Sequence, residues 1–339
     1  MSIDLLFLNN KAMEAAGVLD MNAAIEDVKY AYVLNKQDDV INPGKCVLRW
    51  GKTIEDENVL GRINAMPGYV GGKYDMAGIK WIGSGPQNYK QGLPRASVTM
   101  ILNDPDTKLP VCVADGTAIS TVRTGASGGI AIELLSKSDA RVMALCGAGA
   151  QAHTQLQAAV IARPSLETIY VYDIKEENAR RFAKINGEKY PRLTFIVAAT
   201  AEEAVRNSDI IDCVTLATEP FVEGKWLKKG ALVMNMSDFE ADYDCVRMAD
   251  KVVVDFWENI KHRMISTVAL MWRDGLFKDE QIHGELGDIL IGAKPGREHD
   301  DEIIYFNAVG AGILDIAVAA RCYQKAKAEG LGTCLPFWE

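Results

Sequence analysis

Residues 141–173 read RVMALCGAGAQAHTQLQAAVIARPSLETIYVYD, and the fold turns on this stretch. An apolar run ends in Gly147-Ala148-Gly149-Ala150-Gln151-Ala152, which fits G-x-G-x-x-A. An amphipathic helix pattern follows through HTQLQAAVIAR, and a second apolar run, TIYVYD, closes on Asp173. Gly147 allows a tight turn, Gly149 lets the backbone approach a pyrophosphate, and Ala152 is small enough for a helix to pack closely on a strand. The phosphates then meet free N–H groups and the positive end of the helix dipole. A lone G-x-G-x-x-A also occurs in ordinary glycine turns. Here a strand precedes it, a helix follows, and an acid ends the next strand, which favours a dinucleotide site. Asp173 can hold a ribose 2′-OH and would repel a 2′-phosphate, so NAD is expected rather than NADP. Lys175 softens that repulsion without reversing it.

Beyond this stretch the rhythm continues. KEENARRFAKINGEKY is a charged helix pattern, and LTFIVAA (193–199), DIIDCVTLA (209–217), ALVMNMS (231–237) and KVVVDFW (251–257) are further apolar runs, with short helical patterns such as AEEAVRN between several of them. Alternation of this kind predicts a doubly wound parallel sheet. The flanks differ. Residues 1–124 mix a helical start, KAMEAAGVLDMNAAIEDVKYAYVLN, with β-like KCVLRW, GRINAMPGYVG, MAGIKWIG, ASVTMILND and LPVCVAD. After about residue 305 the chain reads as helical again, in GILDIAVAARCYQKAKAEG. The expected organisation is a Rossmann domain, residues 125–304, inserted into an α+β domain made of residues 1–124 and 305–339.

At 339 residues the chain is long for a single core. The balance of 48% hydrophobic and 24% charged residues is that of a globular protein in water. A net charge of −9 argues against a nucleic-acid partner. No apolar run reaches the ~18 residues of a membrane span, and MSIDLLFLNN lacks the basic start and cleavage site of a signal peptide. Seven scattered cysteines without a C-x-x-C pair, and four histidines without ligand spacing, point to a reducing, cytoplasmic setting with no disulfides and no metal.

The first domain carries cations in apolar, strand-like settings. Lys45 and Arg49 stand in PGKCVLRW, spaced for one face of a strand. Lys80 interrupts AGIKWIG, and Arg123 sits in ISTVRTGASGG just before the nucleotide domain. A single Lys or Arg is ordinarily a solvated surface charge. The apolar flanks of Lys80 and Arg123 are unusual for that, and buried cations need anionic partners; a substrate carboxylate would supply one, gripped by Arg in a bidentate manner. Asp238 follows the run ALVMNMS, at the strand end that faces the ligand crevice in such sheets. An acid there could handle an amine proton or activate water on an imine. Asp242 and Asp244 nearby read as a polar loop or a helix cap.

Together these residues resemble the ornithine cyclodeaminase and mu-crystallin family. The resemblance is carried by AMPGYVGGKYDMAGIKWIG, GLPRASVTMILNDPDTKLPVCVADGTAISTVRTGASGG, GAGAQA, VYDI and VGAGILDIAVA. It implies a Rossmann domain inserted in a substrate domain that also mediates homodimer formation. By resemblance, Lys80 binds the substrate carboxylate near the reacting carbon, Arg123 grips that carboxylate, and Thr124 lies on the cofactor side. Asp238 matches the proposed catalytic acid. Lys45 fits a basic position after a proline, with Arg49 the other candidate. Ala150 and Gln151 would contact the pyrophosphate, Asp173 and the adjoining Ile174 the adenosine ribose, and Thr215 would lie near the cofactor.

Two departures bear on the substrate. Asn64 stands where cyclodeaminases carry a glutamate two residues before Met-Pro, and Arg95 where they tend to have threonine; an added cation suits an added carboxylate. GIKWIGSGPQN and GLPRASVTMILND look most like the branch that makes 2,3-diaminopropionate by oxidising N-(2-amino-2-carboxyethyl)-glutamate. The expected chemistry is NAD-dependent removal of hydride from Cα of an amino-acid-like substrate, giving an imine. The alternatives are ornithine cyclodeamination, ketimine reduction, and non-catalytic dinucleotide-dependent ligand binding of the mu-crystallin type.

Overall fold

The structure, a computed structural model, describes residues 3–51, 61–236 and 238–338. Met1 and Ser2 of the N-terminal stretch, and Ser237 at the end of ALVMNMS, lie outside the described residues. The strands in chain order are β1 (Ile3–Leu8), β2 (Val40–Ile41), β3 (Cys46–Trp50), β4 (Gly61–Val70), β5 (Met76–Ser84), β6 (Ala96–Asn103), β7 (Pro110–Asp115), β8 (Val142–Cys146), β9 (Thr168–Tyr172), β10 (Thr194–Val197), β11 (Ile210–Cys213), β12 (Leu232–Asn235), β13 (Lys251–Val254), β14 (Gly284–Glu285), β15 (Ile304–Asn307) and β16 (Thr333–Trp338). The chain divides into two compact units, Met1–Arg123 with Ala311–Glu339, and Thr124–Gly310.

In the unit Thr124–Gly310 the strands run β10-β9-β8-β11-β12-β15-β13-β14, every pair parallel. The segments IIDC, LVMN, KVVV and IYFN are buried at every position. Such near-continuous apolar runs belong to a parallel sheet covered on both faces. Helices Ala150–Ala162, Glu176–Lys189 and Ala201–Asn207 make the crossovers of the first half. Strand order reverses between β9-β8 and β11, which opens a crevice at the carboxyl end of β8. The helix expected in GILDIAVAARCYQKAKAEG is Gly312–Glu329, and ahead of it Ile304–Asn307, a strand the sequence expectation lacks, is wedged between β12 and β13. An apolar run this short carries no periodicity to separate strand from helix.

In the other unit the order is β16-β1-β7-β6-β5-β4-β2, with β3 also on β4. Pairing is antiparallel except between β1 and β7. The helix Gly312–Glu329 covers one face at β4, β5 and β6, and the helix Met21–Lys36 packs on that helix. Met66, Lys80, Met100 and Ala114 stand in register across β4 to β7 and are buried there. The opposite face presents the row Pro67, Ile79, Ile101, Val113 and Phe7, partly exposed, with exposed Trp81, Leu48 and Trp50 beside it. The N-terminal helical stretch is two helices rather than one: Asn10–Ala15 ends before Gly17, whose φ is +84°, and Asp20 caps the next.

Candidate active site

Lys80 stands mid-way along β5, opposite Met66 on β4 and Met100 on β6. That register turns it to the helix-covered face, where it is only 2% exposed. Its ammonium donates to Ser120 Oγ and to Asp315 Oδ1, each at 2.8 Å. Arg123, on the same helix as Ser120 (Thr117–Leu135), donates from Nε to the same Oδ1 at 3.1 Å. Asp315 is 0% exposed, and its Oδ2 has no hydrogen-bond partner among the described residues. Burial pulls the Lys80 ammonium down to about 8; Asp315 opposes that shift and Arg123 adds to it. Burial works to raise the Asp315 carboxyl, but Arg123 and Lys80 outweigh it and hold the group below its usual range.

Close helix–strand contact delivers Asp315 to this place. Gly312 opens the helix Gly312–Glu329, and a Cβ there would sit 2.6 Å from Met66 O and 2.8 Å from Pro67 O. Only a residue without a side chain lets the helix start directly on the β4 backbone. Asp315 follows within the first turn, where the helix dipole favours a carboxylate, and Met66 is the register partner of Lys80.

The other cations expected to bind substrate stand on or next to β3 and β6. Lys45 is half-buried but precedes β3, whose pairing with β4 begins at Cys46. The expectation of a shared strand face with Arg49 is therefore corrected; Pro43 has no N–H for a ladder, and the strand starts after it. Arg49 is exposed and lies directly opposite Arg62. Alternation puts this pair, with Asn64, on the Lys80 face of the sheet. Arg95 is exposed just before β6, and its carbonyl accepts from Gly85 N at 2.8 Å.

In the other unit Gly147 has φ +104°, and a Cβ would meet Thr215 Cγ2 and Val214 O, each at 2.9 Å. A Cβ at Gly149 would meet nothing within 4 Å. Gly149 caps the helix Ala150–Ala162 without any side-chain hydrogen bond, and the start of that helix is open. Gln151, in the first turn, has a buried Oε1 with no partner among the described residues, and Ala152 is fully buried. Asp173 follows β9. Its Oδ2 accepts from Ala148 N at 2.9 Å, and its Oδ1 from Lys175 N at 2.9 Å and Asn178 Nδ2 at 3.2 Å. Ile174 beside it is 92% exposed. An uncapped helix start, an open approach at Gly149 and a fixed carboxylate on the neighbouring strand fit a dinucleotide. Thr124 O accepts from Gln155 Nε2 at 3.3 Å. Thr215, after β11, donates from N and Oγ1 to Glu240 Oε1 at 2.5 and 2.7 Å. Asp238, after β12, accepts from Arg263 Nη2 at 2.6 Å.

Three of these side chains escape the sequence reading: Asp315, Glu240 and Arg263. Asp315 carried a signal, being one acid inside the apolar GILDIAVAA, the same pattern that singles out Lys80. The counter-charge of Lys80 and Arg123, expected from a substrate, is supplied in part by the chain itself through Asp315. Glu240 and Arg263 sit in polar contexts, and nothing local marks them. Among the described residues, no group of three or more His, Cys, Asp or Glu could hold a metal ion, and no helix is long and apolar enough to cross a membrane.

A model of the ornithine cyclodeaminase/mu-crystallin family matches residues 10–330. The N-((2S)-2-amino-2-carboxyethyl)-L-glutamate dehydrogenase of Staphylococcus aureus is 35% identical over 336 residues, 99% of each chain. Among solved structures, the Delta(1)-pyrroline-2-carboxylate reductase of Thermococcus litoralis in complex with NADH and L-proline is similar with a TM-score of 0.88 and 32% identity, covering 97% of this chain and 99% of that one. An archaeal alanine dehydrogenase dimer with bound NAD has a TM-score of 0.89 and 30% identity, covering 99% and 100%.

Proposed function

The chain belongs to the ornithine cyclodeaminase/mu-crystallin family, and on that premise we propose that it is an NAD-dependent oxidoreductase acting on the Cα–N bond of an amino-acid-like substrate, with an N-carboxyalkyl amino acid of the N-(2-amino-2-carboxyethyl)-glutamate type preferred. One observation carries the reading: two buried cations, Lys80 and Arg123, share a single chain carboxylate, Asp315. Among the described residues, these three side chains hold one more positive than negative charge, and a buried site of that kind is completed by an anion. The substrate preference is supported by the Staphylococcus aureus relative, which matches over nearly the whole of both chains.

In this reading Lys80 and Arg123 fix the substrate carboxylate, and with it the direction of the Cα–H bond. Lys45 or Arg49 completes the carboxylate site, and Arg95 is assigned to a further carboxylate. NAD, when bound, would supply the hydride acceptor; its pyrophosphate would be held by Ala150 and Gln151 beyond Gly147, Gly149 and Ala152, its ribose by Asp173 and Ile174, with Thr124 and Thr215 near the cofactor. Asp238, oriented by Arg263, either takes the proton leaving the substrate nitrogen or activates the water that adds to the imine carbon. Water addition splits the imine into a keto acid and an amine. The reverse sequence is imine reduction.

We assign a homodimer joined through the outer face of the sheet β16-β1-β7-β6-β5-β4-β2. A row of apolar side chains of that extent favours burial against a second copy, and the archaeal alanine dehydrogenase is a dimer. All seven cysteines are unpaired, which suits a reducing, cytoplasmic setting.

The test is the near-ultraviolet absorbance of NADH. NAD would be incubated with alanine, proline, ornithine and N-(2-amino-2-carboxyethyl)-glutamate, and NADH with cyclic imino acids. The expected outcome is NADH formation, fastest with the carboxyethyl glutamate, and release of 2-oxoglutarate. Proline and ammonia from ornithine without net NADH would replace this reading with cyclodeamination. Dinucleotide binding with no turnover of any compound would make the protein a ligand binder.

A further inference from the structure

We infer that Asp315 is a positioning residue, whose carboxylate ties Lys80 to Arg123 and keeps the Lys80 ammonium charged and fixed for a substrate carboxylate. The inference rests on the reading of Lys80 and Arg123 as carboxylate ligands and adds to it the group that acts through them. Its basis is geometric. Three separate elements, β5, the helix Thr117–Leu135 and the helix Gly312–Glu329, bring one donor, a second donor and one acceptor to a single oxygen. Sharing Oδ1 sets the two cationic heads relative to each other, and neither can move without losing a charge-assisted bond. The helix that carries Asp315 is seated on the β4 backbone through Gly312, so the acceptor is rigidly held.

Among the described residues around Lys80, that task falls to Asp315. Its register neighbours on β4 and β6 are Met66 and Met100, both apolar. From the helix Thr117–Leu135 it faces uncharged Ser120 and the like charge of Arg123. Among the described residues, Asp315 is the anion acting on it. Packing alone does not explain an acid here. A fully buried carboxylate with one oxygen unbonded carries a desolvation cost that an apolar residue of similar size would avoid. Perturbed, partnered ionisable groups of this kind concentrate at functional sites.

The experiment uses propionate labelled with ¹³C in its carboxylate, followed by NMR line broadening on the NAD-loaded protein between about pH 6 and pH 10. Propionate has no amine to titrate in that range, so its binding reports on the protein. In the unaltered protein, binding should fall as pH rises through about 8, where Lys80 loses its proton. Asp315→Asn removes the one group that raises that proton affinity, and the fall should move to lower pH by about one unit or more. Asp315→Glu keeps the charge but displaces the carboxylate; the fall should stay near its original pH while affinity drops. An Asp315→Asn profile that coincides with the unaltered one overturns the inference. So does an Asp315→Glu protein with undiminished affinity, and this second variant carries the test if Asp315→Asn fails to fold. Absence of propionate binding to the unaltered protein would instead remove the carboxylate reading itself, and the inference with it.

Discussion

Glu240 shows what a single buried acid does in this molecule. Burial pushes its carboxyl up to about 7, against hydrogen bonds from Thr215 and Asn235 that work to lower it. Asp212, fully buried on β11 with both oxygens unbonded among the described residues, is driven well above its usual value by burial and by Glu240. A carboxyl whose folded-state value is raised favours the native state at low pH, and that contribution fades as pH rises through about 7. Glu240→Gln removes the dependence. Its stability relative to the unaltered protein should therefore be greater at pH 8 than at pH 5, by on the order of 3 kcal/mol, read from urea unfolding at the two values. An equal difference at both would refute the assignment. The sequence exposed Lys80 and Arg123 because each is a cation set in apolar or small residues, a contrast visible in one dimension. Asp315 shows the same contrast and was legible in principle. Glu240 was not, because FEAD reads as a polar loop, and its burial is decided by strands distant in the chain.

At the level of elements, the start of the helix Gly312–Glu329 is the most constrained contact described. Gly312→Ala would drive a methyl into Met66 O and Pro67 O, backbone atoms that cannot swing aside. The expected cost is about 1–3 kcal/mol, seen as a lower urea midpoint, together with weakened substrate turnover because Asp315 moves with the helix. An unchanged midpoint would show that the helix start can yield. Strands that fall within mostly apolar runs, such as β8, β9 and β11 to β13, were legible because those runs alternate with glycines and polar helices. β15 and β16 were not. The first follows a stretch, 291–303, that holds no helix to mark an alternation, and the second, TCLPFW, contains a proline and is exposed throughout, features that read as loop until its pairing with β1 is seen.

For the whole molecule, the partly exposed row Pro67, Ile79, Ile101, Val113 and Phe7, with Trp81 beside it, predicts the assembly. Trp81→Glu places a charge on that face, and a homodimer built there should become a monomer in size-exclusion chromatography with light scattering. A dimer of unchanged mass would move the interface elsewhere. The strand order of the parallel sheet has a consequence of another kind, for the time at which the protein can take shape during synthesis. β12 and β13 are joined only through β15, which leaves the ribosome some fifty residues after β13. Until then the sheet exists as two unconnected pieces, and the helix that buries Lys80 has yet to be made. Neither unit can close on the nascent chain before its final segment emerges, so apolar strand edges stay open through most of translation, a period in which chaperone protection matters most.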